Sequence, residues 1–242
     1  MDGDAGALKT ALGDLVQSIE VDLAHYRRSR TVEFLELLGF AFLLALLIRT
    51  FIVQAYVIPS ESMVPTLLRN DYLLVWKPAY GIKVPFRHDW LVRWGRPKRW
   101  DVVVFVPPQE LGKKYLDQED FIKRVVGLPG DRVELVDRVL YLNGEPVRDE
   151  WAHWIDGELS GHGEFGPFVI PPGHYFMMGD NRDRSLDSRS WGTVPEDALV
   201  GPAAFIYFST DSTSPGGLTG LVQGIVRFPF DTRWRRLGRI IR

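Results

Sequence analysis

The sequence predicts a mainly β domain carried behind one membrane-spanning helix, and three observations predict it. An apolar run near the start gives way to a series of short apolar or alternating runs: "DYLLVWK", "DVVVFV", "FIKRVV", "DRVELVD", "VLYLNGEPV", "HYFMMGD" and "AAFIYFS". Pro and Gly break these runs at short intervals, as they do between antiparallel strands. Asn143-Gly144 lies between apolar runs, and both residues tolerate positive φ, which predicts a type I′ hairpin turn there.

The 242 residues leave room for one sizeable domain with attachments. Lys and Arg total 29 against 31 Asp and Glu, a formal charge of -2, which argues against a nucleic-acid partner. The chain has no cysteine, which excludes disulfides, thiol catalysis and Cys-ligated zinc. The five histidines, His25, His88, His153, His162 and His174, show no close ligand pairing, so no metal and no cofactor are expected.

Residues 1–31 carry Leu8, Leu12, Leu15, Ile19 and Leu23 at helical spacing and read as an amphipathic segment. The anchor is placed at 32–55. Its uncharged centre, Leu37 to Ile48, has only 12 residues, and a bilayer core needs roughly 20, so a buried helix competes with a span. Extension from Phe34 to Val53 reaches 20 residues and takes in Glu36 and Arg49 near the ends, where long side chains snorkel. A cleavable signal peptide is a second rival, since Val53 and Ala55 fit a loose small-residue cleavage pattern; the 30-residue segment before the run counts against it. Arg27, Arg28 and Arg30 precede the run and only Arg69 follows closely, which predicts a cytosolic N-terminal side. Residues 56–242 then form an extracytoplasmic β domain. Within it Asp149 to Pro172 is Gly-rich and acidic and reads as loops or a small excursion, and the basic tail "TRWRRLGRIIR" reads as solvated.

Three stretches carry candidate chemistry. In "IPSESMVPTLLRND" Pro59 and Pro65 bracket Ser60 and Ser62 and predict a rigid, exposed turn. Serines in turns usually cap or bond locally, so a catalytic serine needs a partner; no G-x-S-x-G or S-x-x-K motif supplies one. In "DFIKRVVGLPGD" strand alternation separates Lys123 from Arg124, so that one of the two cations faces inward. Lysine suits the inward place, because burial can strip its proton. Its pKa must fall from about 10.4 to roughly 7 to 8 for it to serve as a base, a cost of about 4 kcal/mol. A lysine snorkelling over apolar surface is the ordinary alternative. "GDNRDRSLDSRSWG" places Arg182 and Arg184 where a calcium loop needs oxygen ligands, so its acids and arginines are expected to pair and stiffen a loop.

In this order, "PSESMVPTL", "RWDVVVF", "KRVVGLPGD" and "GDNRDRSLDSR" resemble the bacterial type I signal peptidase (leader peptidase) family, from about residue 35 to Trp234. The resemblance implies a signal-peptidase-like β-barrel or sheet domain with a small inserted β subdomain at about 137–172. It implies Ser62 as nucleophile and Lys123 as general base, with Ser60 and the Ser62 amide as the oxyanion hole. Ser185 would orient the lysine; Asp180, Asp187 and Arg189 would hold the last loop; Ile58, Phe121 and Ile122 would line pockets for small residues before the cut. Three residues depart from the family pattern: Glu61 stands where some relatives have glycine, Trp100 where "RGD" is more usual, and Asn70 replaces glycine before Asp71. The implied partners are signal peptides of secreted preproteins and membrane lipid, with Met63, Val64 and Leu67 expected to help dock on lipid. The implied place is the cytoplasmic membrane, single-pass, with the catalytic domain on the periplasmic side. Two other readings remain open: a specialised Ser-Lys peptidase for a pilin or conjugation factor, and a membrane-anchored β-domain that binds and does not catalyse.

Overall fold

The structure, a computed structural model, describes residues 6, 9–19, 29–155, 163–211 and 229–241. Arg27, Arg28, His25 and His162 lie outside them. The chain divides into two units, 1–48 and 49–242.

In the first unit residues 9–19 are helical, and helix α1 (Arg30–Phe51) begins. α1 has 22 residues, none of them buried, and among the described residues it alone is long and apolar enough to cross a membrane. Lys77 Nζ donates to the carbonyls of Arg49 (3.1 Å) and Thr50 (3.2 Å), two of the last-turn acceptors that a helix leaves unsatisfied. The boundary at 55 runs too far: Val53–Val57 already form strand β1.

The second unit is built on a seven-stranded antiparallel sheet. Its strands are β1, β2 (Asp71–Trp76), β5 (Val102–Phe105), β6 (Phe121–Gly127), β11 (His174–Met178), β12 (Val194–Pro195) and β13 (Leu199–Ser209), in the order β1-β2-β13-β5-β6-β11-β12. β13 makes the sheet curl. Its first residues pair with β5 and its later ones with β2, and register shifts at Leu199/Gly201, Ala203/Phe205 and Ile206/Phe208 bend it into a half-barrel. Glycine is needed at 201, because a Cβ there would stand 2.8 Å from the Trp76 carbonyl oxygen. β5, "VVVF", is buried along its whole length, as a continuous apolar run in a central strand should be. Strand β2 instead alternates, with Asp71, Leu73 and Val75 inward.

A four-stranded sheet, β10 (Phe165–Val169), β7 (Arg132–Val136), β8 (Val139–Leu142) and β9 (Glu145–Pro146), shares a core with β6 and β11 through Val126, Val133, Leu140, Phe176 and Met178. This small sheet starts at Arg132, ahead of the expected 137, and β10 crosses the stretch expected to be loop. Asn143 (φ 57°) and Gly144 (φ 88°) make the β8–β9 turn as expected. A hairpin of β3 (Gly81–Lys83) and β4 (Trp90–Arg93) forms a separate two-stranded sheet that packs on the main core through Trp90.

The basic tail is exposed at Trp234, Arg235, Leu237, Arg239 and Ile240 but is docked on the sheet by its backbone and by Arg236. Residues 232–241 run beside β13, with Gly238 N donating to Ile206 O (2.8 Å), Ile206 N to Arg239 O (3.0 Å) and Ile241 N to Ala204 O (3.1 Å). Arg236 is buried against Asp71.

Candidate active site

Three segments meet at Ser62: the turn after β1, strand β6, and the loop that follows β11. The turn after β1 is closed at its neck by Ile58 N to Asp71 O (2.9 Å) and Asn70 N to Ile58 O (2.8 Å). Asn70 occupies the left-handed region there (φ 63°), which an asparagine tolerates. The turn is less exposed than its sequence suggests. Ser60 and Glu61 face solvent, but Ser62 is buried and Met63 and Leu67 are fully so, within the core cluster that holds Ile58, Leu73 and Val75. Met63 and Leu67 therefore have no surface to offer lipid.

β6 brings Lys123 to this serine, with Nζ 2.6 Å from Ser62 Oγ. Lys123 is 5% exposed, and burial pulls its pKa down from the usual 10.5 to about 8. Asp187 and Asp180 act the other way, favouring the ammonium, and Arg189 again disfavours it. The expectation that only one cation of "KR" faces inward is overturned: Arg124 is fully buried as well. It is tolerated because its guanidinium forks onto Asp180 (Nε to Oδ1 2.8 Å, Nη2 to Oδ2 2.7 Å), donates to the Trp100 carbonyl (2.7 Å) and lies over the Trp151 ring at 4.7 Å. Trp100 adopts φ 76°, unusual for a bulky residue, and its ring stacks on Trp151 at 5.0 Å.

The loop after β11 supplies the frame. Arg189 forks onto Asp187 (2.8 Å at each oxygen) and donates to the Arg182 carbonyl (2.8 Å). Asp187 also accepts from Gly179 N (3.0 Å) and caps the short helix α2 (Ser188–Trp191). Burial pushes the Asp187 carboxyl up, but Arg189, the Gly179 amide and the Ser185 hydroxyl outweigh it and hold it below its ordinary value. The loop is fastened to the serine turn by Asn181 N to Ser62 O (3.1 Å), Asn181 Nδ2 to Glu61 O (3.2 Å) and Thr66 Oγ1 to Asp180 Oδ2 (2.5 Å). Gly179 sits between these parts with no room for a side chain, since a Cβ would strike both the Ser185 side chain and the Ser62 carbonyl.

The structure thus gathers Ser60, Ser62, Lys123, Asp180, Asp187 and Arg189. Ser60 Oγ is 3.3 Å from Ser62 Oγ, and among the described residues the Ser62 amide donates to no protein group. Ser185 is buried beside Gly179; its hydroxyl makes no hydrogen bond to Lys123 and lies near Asp187, whose carboxyl it helps to stabilise in the charged form. The three pocket residues divide: Ile58 and Ile122 share one cluster, whereas Phe121 packs on the other side of the sheet with Val103 and Phe105. Sequence reasoning missed Thr66, Asn181, Gly179 and the inward role of Arg124. Only the glycine had a signal, its place just before the charged loop.

A family model described as "Signal peptidase, peptidase S26" matches residues 31–208. Signal peptidase I of Pseudomonas aeruginosa is 39% identical, across 69% of this chain and 68% of its own. Signal peptidase I of Rickettsia typhi is 33% identical, across 84% of this chain and 90% of its own. A crystal structure of a signal peptidase I from Enterococcus faecalis aligns at 29% identity and a TM-score of 0.36, covering 44% of this chain and 96% of that one.

Proposed function

This chain belongs to the signal peptidase family, peptidase S26, and from that premise we propose that it is a membrane-bound serine endopeptidase that removes signal peptides from secreted preproteins. The observation that carries the reading is the 2.6 Å approach of a buried lysine to a buried serine. A lysine with pKa about 8 is partly neutral at working pH and can accept the serine proton.

Ser62 Oγ attacks the scissile carbonyl as its proton passes to Lys123 Nζ. The negative charge on the carbonyl oxygen meets the free Ser62 amide and the Ser60 hydroxyl. Lys123 then gives its proton to the departing amine, which leaves an ester on Ser62. Water enters, loses a proton to the same amine, and releases the signal peptide as a carboxylate. Ser185 accepts from the ammonium and orients it. Asp180, Asp187 and Arg189 keep the loop beneath the pair rigid. Ile58 and Ile122 on one side of β6, and Phe121 on the other, where its ring lies 5.7 Å from Lys123 Nζ, favour small residues before the cut.

Chain order supports an anchored enzyme. α1 ends two residues before β1, and Ser62 follows within one short turn, so a serine tethered this close works near the membrane surface, where a signal peptide also emerges. The arginines before α1 orient it with the N-terminal side in the cytosol and the β domain on the periplasmic side.

The test is cleavage of a model preprotein with small residues at the first and third positions before the cut, by purified protein in detergent, with Ser62→Ala alongside. Cutting by the wild type alone, with both proteins folded by circular dichroism, is the expected result. Equal cutting by both overturns the assignment of Ser62. No cutting of several such preproteins by either turns the reading toward a dedicated substrate or a binding domain.

A further inference from the structure

The turn that bears Ser62 is gripped by a residue far along the chain. Arg236 directs Nε to Asp71 Oδ1 (3.0 Å) and Nη2 to Asp71 Oδ2, and the same Nη2 donates to the Thr66 carbonyl (2.9 Å). Asp71 is fully buried at the neck of the turn, and accepts besides from Leu68 N (2.7 Å) and Ser209 Oγ (2.6 Å). Thr66 lies at the crown of the turn, and its hydroxyl meets Asp180. One guanidinium therefore ties neck to crown.

Arg236 is itself fixed. Its segment runs along β13, and Arg233, three residues earlier, donates to the Arg69 carbonyl (2.9 Å) of the same turn. A planar fork can reach a carboxylate and a carbonyl together; an ammonium offers one point of charge on a flexible stem. A continuous path follows: Arg236, the Thr66 backbone, the Thr66 hydroxyl, Asp180, then Arg124 beside Lys123. Asp180 is one of the two carboxylates whose charge acts on the Lys123 amine.

We propose that Arg236 is a positioning residue for the reaction: by holding Thr66 against Asp180 it sets where Ser62 stands relative to Lys123. The proposal rests on Ser62 being the nucleophile. A displacement of about 1 Å in a reacting group is enough to lower a rate about 100-fold, so a grip on this turn acts on the chemical step and leaves substrate binding nearly untouched.

The experiment measures kcat and KM for a model preprotein with the full chain in detergent, for Arg236→Gln, Arg236→Lys, Thr66→Val, the double variant Arg236→Gln/Thr66→Val, and Ser62→Ala. The exposed neighbour Arg235 supplies a control, Arg235→Gln. Arg236→Gln is expected to lower kcat about 10- to 100-fold with KM within about twofold. Arg236→Lys should recover part of that loss. Thr66→Val should also lower kcat, and the double variant should lose clearly less than the product of the two single losses, because both act along one path. A kcat for Arg236→Gln within twofold of wild type, while Ser62→Ala is dead, overturns the proposal. So does a loss multiplicative with Thr66→Val, or one that Arg235→Gln shares. If Arg236→Gln does not fold, Thr66→Val decides alone, and an unchanged kcat there overturns the proposal. Activity in Ser62→Ala would sink the underlying assignment instead, a distinguishable outcome.

Discussion

Lys123 Nζ stands 2.6 Å from Ser62 Oγ with both side chains withdrawn from solvent. The form that can take the serine proton is the neutral amine, and burial brings its pKa to about 8. Activity should therefore rise with pH along one limb. A plot of kcat/KM against pH for a model preprotein is expected to have its acid midpoint at about 8, where the free enzyme titrates. A midpoint near 10.5 would mean that the amine is not desolvated in the working enzyme.

The same burial makes Lys123 a liability to the fold. Below about 8 the group is protonated in both folded and unfolded chains, and burying its charge costs about 3 kcal/mol. Between about 8 and 10.5 the folded form is neutral and the unfolded form still charged, so wild-type stability climbs with pH; above 10.5 the penalty is gone. Lys123→Met should thus be inactive yet more stable than wild type at pH 7, by up to about 3 kcal/mol less the lost amine contacts. The advantage should shrink toward zero by pH 10.5. Urea unfolding of both proteins at pH 7 and at pH 10 measures this, and a variant less stable at pH 7 would contradict it.

Gly179 carries no chemistry, but its missing side chain lets the loop after β11 close on the serine turn. A methyl group there would overlap the Ser185 side chain and the Ser62 carbonyl, and its backbone partners cannot swing aside. Gly179→Ala is expected to lower kcat at least 100-fold by shifting Ser62, on the order of what a 1 Å misplacement does. Its melting temperature should fall as well. Wild-type activity in Gly179→Ala would show that the loop and the turn can part without harm.

Asp187 answers a different question, the sign of the field on the lysine. Its carboxylate favours the Lys123 ammonium. Asp187→Asn should move the acid midpoint of activity below that of wild type. Its fork with Arg189 is nearly free of solvent, so removing one partner of the buried pair should cost about 3 to 5 kcal/mol of stability. Because the folded carboxyl titrates below its ordinary value, wild-type stability includes a contribution that is lost as pH falls through the folded pKa. The gap between wild type and variant should therefore narrow in acid. Parallel pH–rate and pH–melting curves test both signs.

Strand identity was legible where side chains advertise it. β2, β5, β6, β7, β8, β11 and β13 coincide with apolar or alternating runs, and Asn143-Gly144 announced its turn through positive φ. Four features escaped for physical reasons. β1 reads as the tail of the apolar helix, because "VQAYV" continues its hydrophobicity. β10, "FGPFV", contains a glycine and a proline and so looks like loop. Arg124 was expected outside because one face of its strand was taken to meet solvent; β6 is buried on both faces over Lys123–Gly127, and Asp180 and the Trp100 carbonyl wait on the face that Arg124 takes. Arg236 lies in a run of basic residues that looks solvated until Asp71, 165 positions away in sequence, is brought beside it. Residue types name the pair Ser62 and Lys123, whereas the contacts that hold them come from long-range pairing that no local pattern encodes.

Ser185 separates structure from chemistry. Its hydroxyl is buried, makes no hydrogen bond to Lys123 and interacts only weakly with the Asp187 carboxylate, so its contribution to the fold is small. Ser185→Ala should therefore lower stability by no more than about 1 kcal/mol. If the hydroxyl accepts from the Lys123 ammonium during the reaction, the same variant loses kcat about 10- to 100-fold with KM little changed, the pattern of a contact made in the transition state. Ser185→Thr offers a hydroxyl again, but its extra methyl crowds Gly179, so only partial recovery is expected. Urea unfolding beside steady-state kinetics gives both numbers from one preparation. An alanine variant with wild-type kcat would assign Ser185 to packing against Gly179 alone; a stable variant with crippled kcat would leave orientation of the lysine as its role.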